Sequence, residues 1–215
     1  MLALGATRSN GTAREAGLAG ARILIPVTQR ERLLDAMART VARRGYTATS
    51  VADVLKVARI SRRTFYEQFV DKEDCFLAAY DAIAGLCAER FAAAYRDAPG
   101  WQAGLEAAYA VLLETLAAEP DFARLGVVEV LAAGPRALAR RDRTLACFMR
   151  LVDDARTHAV GDGVPPPLVG QAIAGGIYEL VYSRIVREQT ATLPELADEL
   201  LRFTYLLLGV VPRAA

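Results

Sequence analysis

Arg62 and Arg63 form an adjacent pair of cations that follows Ser61 and precedes Thr64. A guanidinium group can donate two hydrogen bonds at once to the O6 and N7 atoms of a guanine base, or to a phosphate. Serine is a preferred cap at the start of a helix, and the free amides there carry a partial positive charge that attracts phosphate. If a helix begins at Ser61, both arginines lie in its first turn, which is where a helix placed in the DNA major groove meets the base edges.

The residues around this pair predict two short helices joined by a tight turn. We predict helices at about 51–57 and 61–69, with a turn at 58–60. Ser50 and Asp53 have the spacing of a capping box at the first helix. The two helices form a helix-turn-helix, which packs on a preceding helix that begins at about Gln29 and ends before Gly45. The apolar residues expected to fix this arrangement are Leu33, Leu34, Met37, Val41, Val54, Leu55, Ala58, Ile60, Phe65 and Phe69.

The charge of the chain is unevenly distributed. The whole chain has a formal net charge of +1, but residues 28–72 contain ten Lys or Arg residues against five acidic ones. A basic N-terminal third on an acidic remainder is the asymmetry expected of a protein that binds a polyanion. On charge alone, a chance cluster of solvated arginines would explain the pattern equally well.

The remainder of the chain predicts further helices. They cover about 72–97, 101–119, 121–132, 136–158, 168–188 and 193–210, separated by Pro or Gly. No segment alternates as a half-buried strand does. We therefore expect an all-α fold, with an N-terminal three-helix head that holds the helix-turn-helix and a larger C-terminal helical bundle.

Several classes of protein are disfavoured by the sequence. The three cysteines, Cys75, Cys87 and Cys147, lack the spacing of a zinc site or a disulfide framework, and there is one histidine. Phosphate loops, nucleophile elbows, paired metal ligands and dinucleotide fingerprints are absent. No apolar run approaches the ~18 residues of a membrane span, and the N-terminus lacks a signal peptide pattern. We expect no catalytic activity, metal or cofactor, and a cytoplasmic location.

The stretch between Arg32 and Ala82 resembles the DNA-binding region of the TetR family of bacterial regulators. The matching positions are Arg44-Gly45-Tyr46, Thr49-Ser50-Val51, Ser61-Arg62, Thr64-Phe65-Tyr66, Phe69 and Asp71-Lys72-Glu73. Arg59 stands where the family has glycine in the turn, and Gln68 stands where it often has histidine. A residue other than glycine at positive φ costs roughly 1 kcal/mol, so the turn is expected to be slightly strained.

The resemblance assigns DNA contacts to the head. Arg62 and Arg63 would face the major groove, and the other residues would contact phosphates or support the contact. The full set of expected DNA-binding residues is Thr49, Ser50, Ser61, Arg62, Arg63, Thr64, Tyr66, Gln68 and Lys72.

The resemblance also implies a body that binds a small molecule and dimerises through its last two helices. These helices are apolar nearly all round, which favours burial on both sides, by a partner subunit or by an intrachain core. The expected interface residues are Ile173, Gly176, Ile177, Leu200, Phe203 and Leu207. The candidate residues for an apolar ligand pocket, each of which could equally be ordinary core, are Phe91, Tyr109, Glu129, Phe148, Met149, Tyr178 and Tyr182.

Together these features divide the chain into a flexible basic arm at 1–27, a helix-turn-helix domain at 28–71 and a ligand-binding and dimerisation domain at 72–215. We expect a homodimeric repressor that binds a near-palindromic double-stranded operator and is released by a small apolar ligand. The alternative is a DNA-binding regulator without a small-molecule switch, which would respond to a protein partner.

Overall fold

The computed structural model of the chain describes residues 22–159 and 167–210. Within these ranges the backbone is helical almost throughout and contains no β-strand, which confirms the all-α prediction. In the same ranges no helix has both the length and the apolar character needed to cross a membrane. Residues 22–159 and 167–210 form nine α-helices, which are α1 (Gln29–Arg44), α2 (Val51–Ala58), α3 (Arg62–Gln68), α4 (Lys72–Asp97), α5 (Trp101–Ala118), α6 (Pro120–Val127), α7 (Pro135–Ala159), α8 (Pro167–Val186) and α9 (Ala197–Leu208).

Helix α1 begins at a complete capping box. The Thr28 hydroxyl accepts the amide hydrogen of Glu31, while the Glu31 carboxylate accepts the amides of Thr28 and Val27. These hydrogen bonds lower the pKa of Glu31. The helix then buries its apolar face against α2, α4 and α6, so the head is packed directly on the body.

The turn between α2 and α3 is closed by two arginines. Arg59 has a φ of 54° and caps α2 in the left-handed conformation, as expected from the missing glycine. The Nη2 atom of Arg32, on α1, donates to the carbonyl oxygen of Ala58 at 2.8 Å. This bond satisfies one of the carbonyls that the end of α2 leaves without a helical partner.

We expect Arg59→Gly to stabilise the head by up to about 1 kcal/mol, because glycine adopts the left-handed conformation without the steric cost of a Cβ atom. The matched control is Arg59→Ala, which removes the same exposed side chain but keeps the Cβ atom. Urea denaturation measures both changes. Equal stability of the two variants would show that the turn is not strained.

Two predicted helices differ from the structure at their ends. The helix expected at 121–132 ends at Val127, and residues Glu129–Ala132 form a 3-10 helix. The start of the helix expected at 193–210 is also 3-10, over Thr190–Leu196. Pro194 lies inside this segment, and proline has no amide hydrogen to continue an α-helical ladder.

The predicted dimer-interface residues are buried or half-buried within their own chain. Ile173 and Leu200 are buried, Ile177 lines a cavity, and Leu207 packs on the cluster of Val152, Ile173 and Leu208. Gly176 contacts Phe203 of the same chain, so closely that a Cβ atom at position 176 would lie 2.9 Å from the Phe203 ring. These residues therefore contribute to the contact between α8 and α9 within one protomer, and their expected place in a dimer interface stays a prediction.

Other faces of the last two helices are exposed. Gly175 has open space around it, and Leu180 and Val186 on the same helix are 42% and 44% exposed. On α9, Leu206 is 77% exposed. A protein surface that covers these faces would contact Gly175, Leu180, Val186 and Leu206.

Candidate nucleic-acid interface and ligand cavity

Helix α3 presents one buried and one exposed face. The Ser61 hydroxyl accepts the amide hydrogen of Thr64 at 3.1 Å, which caps the helix as predicted. Phe65 and Phe69 are buried with ring centroids 5.6 Å apart, and they anchor the helix to the head. The burial of these rings fixes which side chains face outward, because residues three or four positions apart share a helix face.

The exposed face of α3 carries the side chains that suit DNA. Arg62 has no partner among residues 22–159 and 167–210, and Tyr66 and Gln68 are exposed. Arg63 is 90% exposed, and its Nε atom donates to Glu67 Oε1 at 3.0 Å. A surface ion pair of this kind contributes little to stability, so Arg63 can exchange Glu67 for a base at small cost.

The loop before α2 is held from inside by Lys72. The Lys72 ammonium donates to the carbonyl oxygens of Tyr46 and Thr49 at 3.0 and 2.9 Å, and it lies 4.1 Å from the centre of the Tyr46 ring. Thr49 is 2% exposed, and its hydroxyl donates to the carbonyl oxygen of Gly45. Thr49 is therefore buried, unlike the other residues predicted to contact DNA, such as Arg62 and Tyr66. Ser50 is exposed and caps α2 through a capping box with Asp53.

Glu129, which was predicted from the sequence to line the ligand pocket, lies at the junction of head and body. Its Oε2 atom accepts the amide hydrogen of Tyr46 at 2.9 Å, and its Oε1 atom is 3.6 Å from Arg124 Nε. Glu129 does not line the cavity described below. This carboxylate connects the turn after α1 to the region that follows α6, and its predicted contact with a ligand stays a prediction.

A second connection joins residues 22–24 to both parts of the molecule. Arg22 Nη2 lies 2.7 Å from Asp35 Oδ1, on α1, and 3.1 Å from Glu119 Oε2, between α5 and α6. Glu119 is 1% exposed, and its Oε1 atom also accepts the amide hydrogens of Ile23 and Leu24 at 2.6 and 2.5 Å. Residues 22–24, which belong to the arm expected at 1–27, therefore contact Asp35 and Glu119, while residues 1–21 lie outside the described part of the chain.

We expect Glu119→Ala to destabilise the protein by about 1–3 kcal/mol, because it leaves the amides of Ile23 and Leu24 without their charged acceptor. Glu114→Ala removes an exposed carboxylate from α5 and is the matched control, with an expected change within about 0.5 kcal/mol. Denaturation with urea measures both. Equal effects of the two substitutions would show that the contacts of Glu119 add nothing to stability.

The body contains a cavity of about 130 Å³ between α4, α5, α6, α7 and α8. Four of the predicted ligand residues line it, namely Phe91, Tyr109, Phe148 and Tyr178. Met149 and Tyr182 do not, and Tyr182 instead stacks on Tyr178 with ring centroids 6.4 Å apart. The lining also includes Tyr80, Ile83, Cys87, Leu112, Leu116, Phe122, Arg141, Thr144, Leu145, Val152, Ile177 and Val181.

Arg141 is the one charged side chain that the described part of the chain contributes to the cavity lining, and sequence analysis missed it. Its guanidinium carbon lies 4.2 Å from the centre of the Tyr178 ring. Burial raises the pKa of the Cys87 thiol and of the Tyr109 phenol, each to about 12, so these groups are neutral near pH 7. The sequence did contain a signal that Arg141 faces the interior. Residues 141, 145, 148 and 152 lie on one face of a helix, and Arg141 is the only polar residue among these four.

Comparison with known proteins adds information on the head and on the fold. Residues 33–79 match the family model of bacterial regulatory proteins of the tetR family. No curated protein sequence matches the chain. The solved structures to which the fold is similar cover both the head and the body.

The similar structures are those of bacterial regulators. The fatty acid degradation regulator FadR from Bacillus halodurans has a TM-score of 0.75 at 19% identity, over 86% of this chain and 97% of that chain. The transcriptional regulator FadR from Bacillus subtilis, in complex with stearoyl-CoA, has a TM-score of 0.71 at 20% identity, over 84% and 98%. A TetR family transcription regulator from Marinobacter aquaeolei VT8 has a TM-score of 0.65 at 24% identity, over 83% and 94%.

The sequence match is confined to the head, where the capped α3 exposes Arg62 and Arg63, and the similarity in fold extends through the helical body. This agreement confirms the resemblance found in the sequence: residues 33–79 match the tetR family of bacterial regulatory proteins, and the fold is similar to that of solved transcription regulators, one of them described as a TetR family member.

Proposed function

We propose that this protein is a transcription regulator that binds operator DNA as a homodimer and is released by an apolar ligand in the body cavity. The observation that carries the proposal is the course of α4. Its first residue, Lys72, holds the loop of the head through Tyr46 and Thr49, and its later turns line the cavity with Tyr80, Cys87 and Phe91. One rigid element therefore contacts both the DNA-binding head and the ligand cavity.

The size of the cavity supports a switch in which the ligand moves helices. A volume of about 130 Å³ is close to the ~150 Å³ of an engineered protein cavity that admits benzene. A longer ligand must displace side chains or helices as it enters, because packed interiors have few other voids. A ligand that binds the widened form more tightly shifts the population toward that form.

Two of the similar structures support an apolar chain as the ligand. Both are FadR proteins, one of them described as a fatty acid degradation regulator and the other solved with stearoyl-CoA. The lining of the present cavity is hydrocarbon and aromatic apart from the hydroxyl, thiol and guanidinium groups of a few side chains. This composition is typical of a pocket for an apolar molecule with one polar end.

The homodimer is proposed from the exposed apolar side chains of α8 and α9. Leu180, Val186 and Leu206 are exposed on the last two helices. A second copy would cover them through a symmetric contact and would place two α3 helices against two DNA half-sites. The operator is then expected to be near-palindromic, with half-sites about one helical turn apart or somewhat more.

The test is selection of bound DNA from a random pool, followed by measurement of the affinity for the selected site with and without dodecanoyl-CoA. We expect a near-palindromic consensus and a weaker affinity in the presence of the acyl compound. A pool that yields no consensus would contradict the DNA-binding role. A consensus site whose affinity no apolar compound changes would favour the alternative, a regulator without a small-molecule switch.

A further inference from the structure

Arg141 gives the cavity a chemical preference that its apolar walls do not. We infer that the ligand is an acyl compound whose carbonyl or carboxylate oxygen accepts a hydrogen bond from Arg141 while its hydrocarbon chain fills the rest of the cavity. This inference rests on the proposed function and adds to it the class of the ligand and the residue that selects it.

The guanidinium group of Arg141 has one donor atom that no group in the described part of the protein accepts. The Nη1 atom of Arg141 donates to Asp142 Oδ1 at 3.1 Å, but its Nε atom is buried and has no partner among residues 22–159 and 167–210. A buried donor without an acceptor is costly, so a ligand that supplies an oxygen there gains more than the hydrogen bond itself. Arginine can only donate, and the ligand group must therefore be an acceptor.

Several polar groups of the cavity lining lie near Arg141. Thr144 lies one helical turn from Arg141. Tyr80 and Tyr178 lie close enough to Arg141 that its positive charge lowers their pKa values, which burial raises. Elsewhere the lining is formed by side chains such as Phe91, which contacts Phe148 and Tyr109 through ring centroids 5.1 and 6.1 Å apart. A molecule that matches this division has one polar end and one hydrocarbon end.

The charge that the cavity lining presents to a ligand is positive. Among the residues that the structure describes, the lining contains one cation and no carboxylate. Asp142, which pairs with Arg141, has a side chain that is 70% exposed. An amine at the polar end of a ligand would be repelled by the guanidinium group, and a plain alcohol would be a weaker acceptor than a carboxylate. An acyl group satisfies both the geometry and the charge.

The experiment compares four probes that share a twelve-carbon chain and differ at the polar end. Dodecanoate, dodecanoyl-CoA, 1-dodecanol and dodecylamine are titrated by calorimetry, below their aggregation concentrations, into the wild-type dimer and into Arg141→Met. Methionine keeps an apolar stem of similar length and removes every donor. The control variant is Arg143→Met, which removes an exposed arginine from the same helix.

We expect wild-type protein to bind at least one of the two acyl probes roughly 10- to 100-fold more tightly than dodecanol or dodecylamine, because a hydrogen bond to a charged group discriminates by about that factor. Arg141→Met should remove this preference while dodecanol binding stays within about threefold of wild type, and Arg143→Met should change neither. The comparison of dodecanoate with dodecanoyl-CoA then tells whether the free acid or the thioester is the source of the acyl group.

Two results would overturn the inference. The first is that dodecanol or dodecylamine binds as tightly as both acyl probes, or that Arg141→Met keeps the acyl preference; Arg141 would then not select the ligand. In that case the proposed function would still stand as long as a bound probe weakened operator binding. If no probe bound at all, the inference and the apolar-ligand part of the proposed function would fail together. Thermal unfolding of each variant verifies that loss of binding is not loss of the fold.

Discussion

Replacing both Arg62 and Arg63 by alanine is expected to abolish most of the preference of this protein for its operator over unrelated DNA. Both side chains lie in the first turn of α3 and are exposed, whereas Phe65 in the next turn is buried. Each bidentate contact with a guanine that is lost should cost about 1–3 kcal/mol of discrimination. The measurement is the ratio of the dissociation constants for the selected operator and for a scrambled duplex at one salt concentration.

The matched control for this prediction removes the same positive charge elsewhere on the head. Arg43 and Lys56 are exposed and lie on α1 and α2. Arg43→Ala with Lys56→Ala should leave the ratio of the two constants unchanged, whatever it does to the affinity for both duplexes. Retention of the wild-type ratio by the Arg62 and Arg63 double variant would exclude α3 as the element that recognises bases.

Leucine substitutions at the neighbouring glycines 175 and 176 are expected to have opposite effects. A Cβ atom at position 176 would lie 2.9 Å from the ring of Phe203, so Gly176→Leu forces the contact between α8 and α9 apart and should cost about 1–3 kcal/mol or more. Nothing lies within 4 Å of the corresponding position at Gly175. Gly175→Leu should keep the protomer folded, with a gain of helix propensity of up to about 1 kcal/mol, and should prevent the proposed dimer from closing.

Sedimentation velocity and urea denaturation separate the two outcomes. We expect a folded monomer for Gly175→Leu and a destabilised or unfolded chain for Gly176→Leu. A dimer of wild-type affinity in the Gly175 variant would show that this face of α8 is not the interface. A fully stable Gly176 variant would contradict the close packing of Phe203 on the glycine.

The head could be predicted from sequence in detail because its signals are local. Caps at Ser50 and Ser61 mark helix starts, and the left-handed Arg59 was expected from the missing glycine. Each of these depends on residues within four positions of one another. Local spacing therefore fixes which side of α3 is exposed.

The body could be predicted only in outline because its contacts join residues far apart in the chain. Glu129 is a carboxylate in an apolar segment, which suggested a pocket, yet it binds the amide of Tyr46 in the head. Helix α8 is apolar on nearly every side, so its pattern could not distinguish the face toward α9 from an outer face. In both cases the choice depends on packing partners that the local sequence does not identify.

The central claim is that one helix, α4, couples ligand binding in the cavity to DNA binding by the head. The most direct test is the affinity of the tightest acyl probe for the protein in the presence and absence of saturating operator DNA. Because coupling between two sites is reciprocal, we predict that operator DNA weakens ligand binding by the factor by which the ligand weakens DNA binding, typically about 5- to 150-fold. Equal ligand affinity with and without operator DNA would contradict the account.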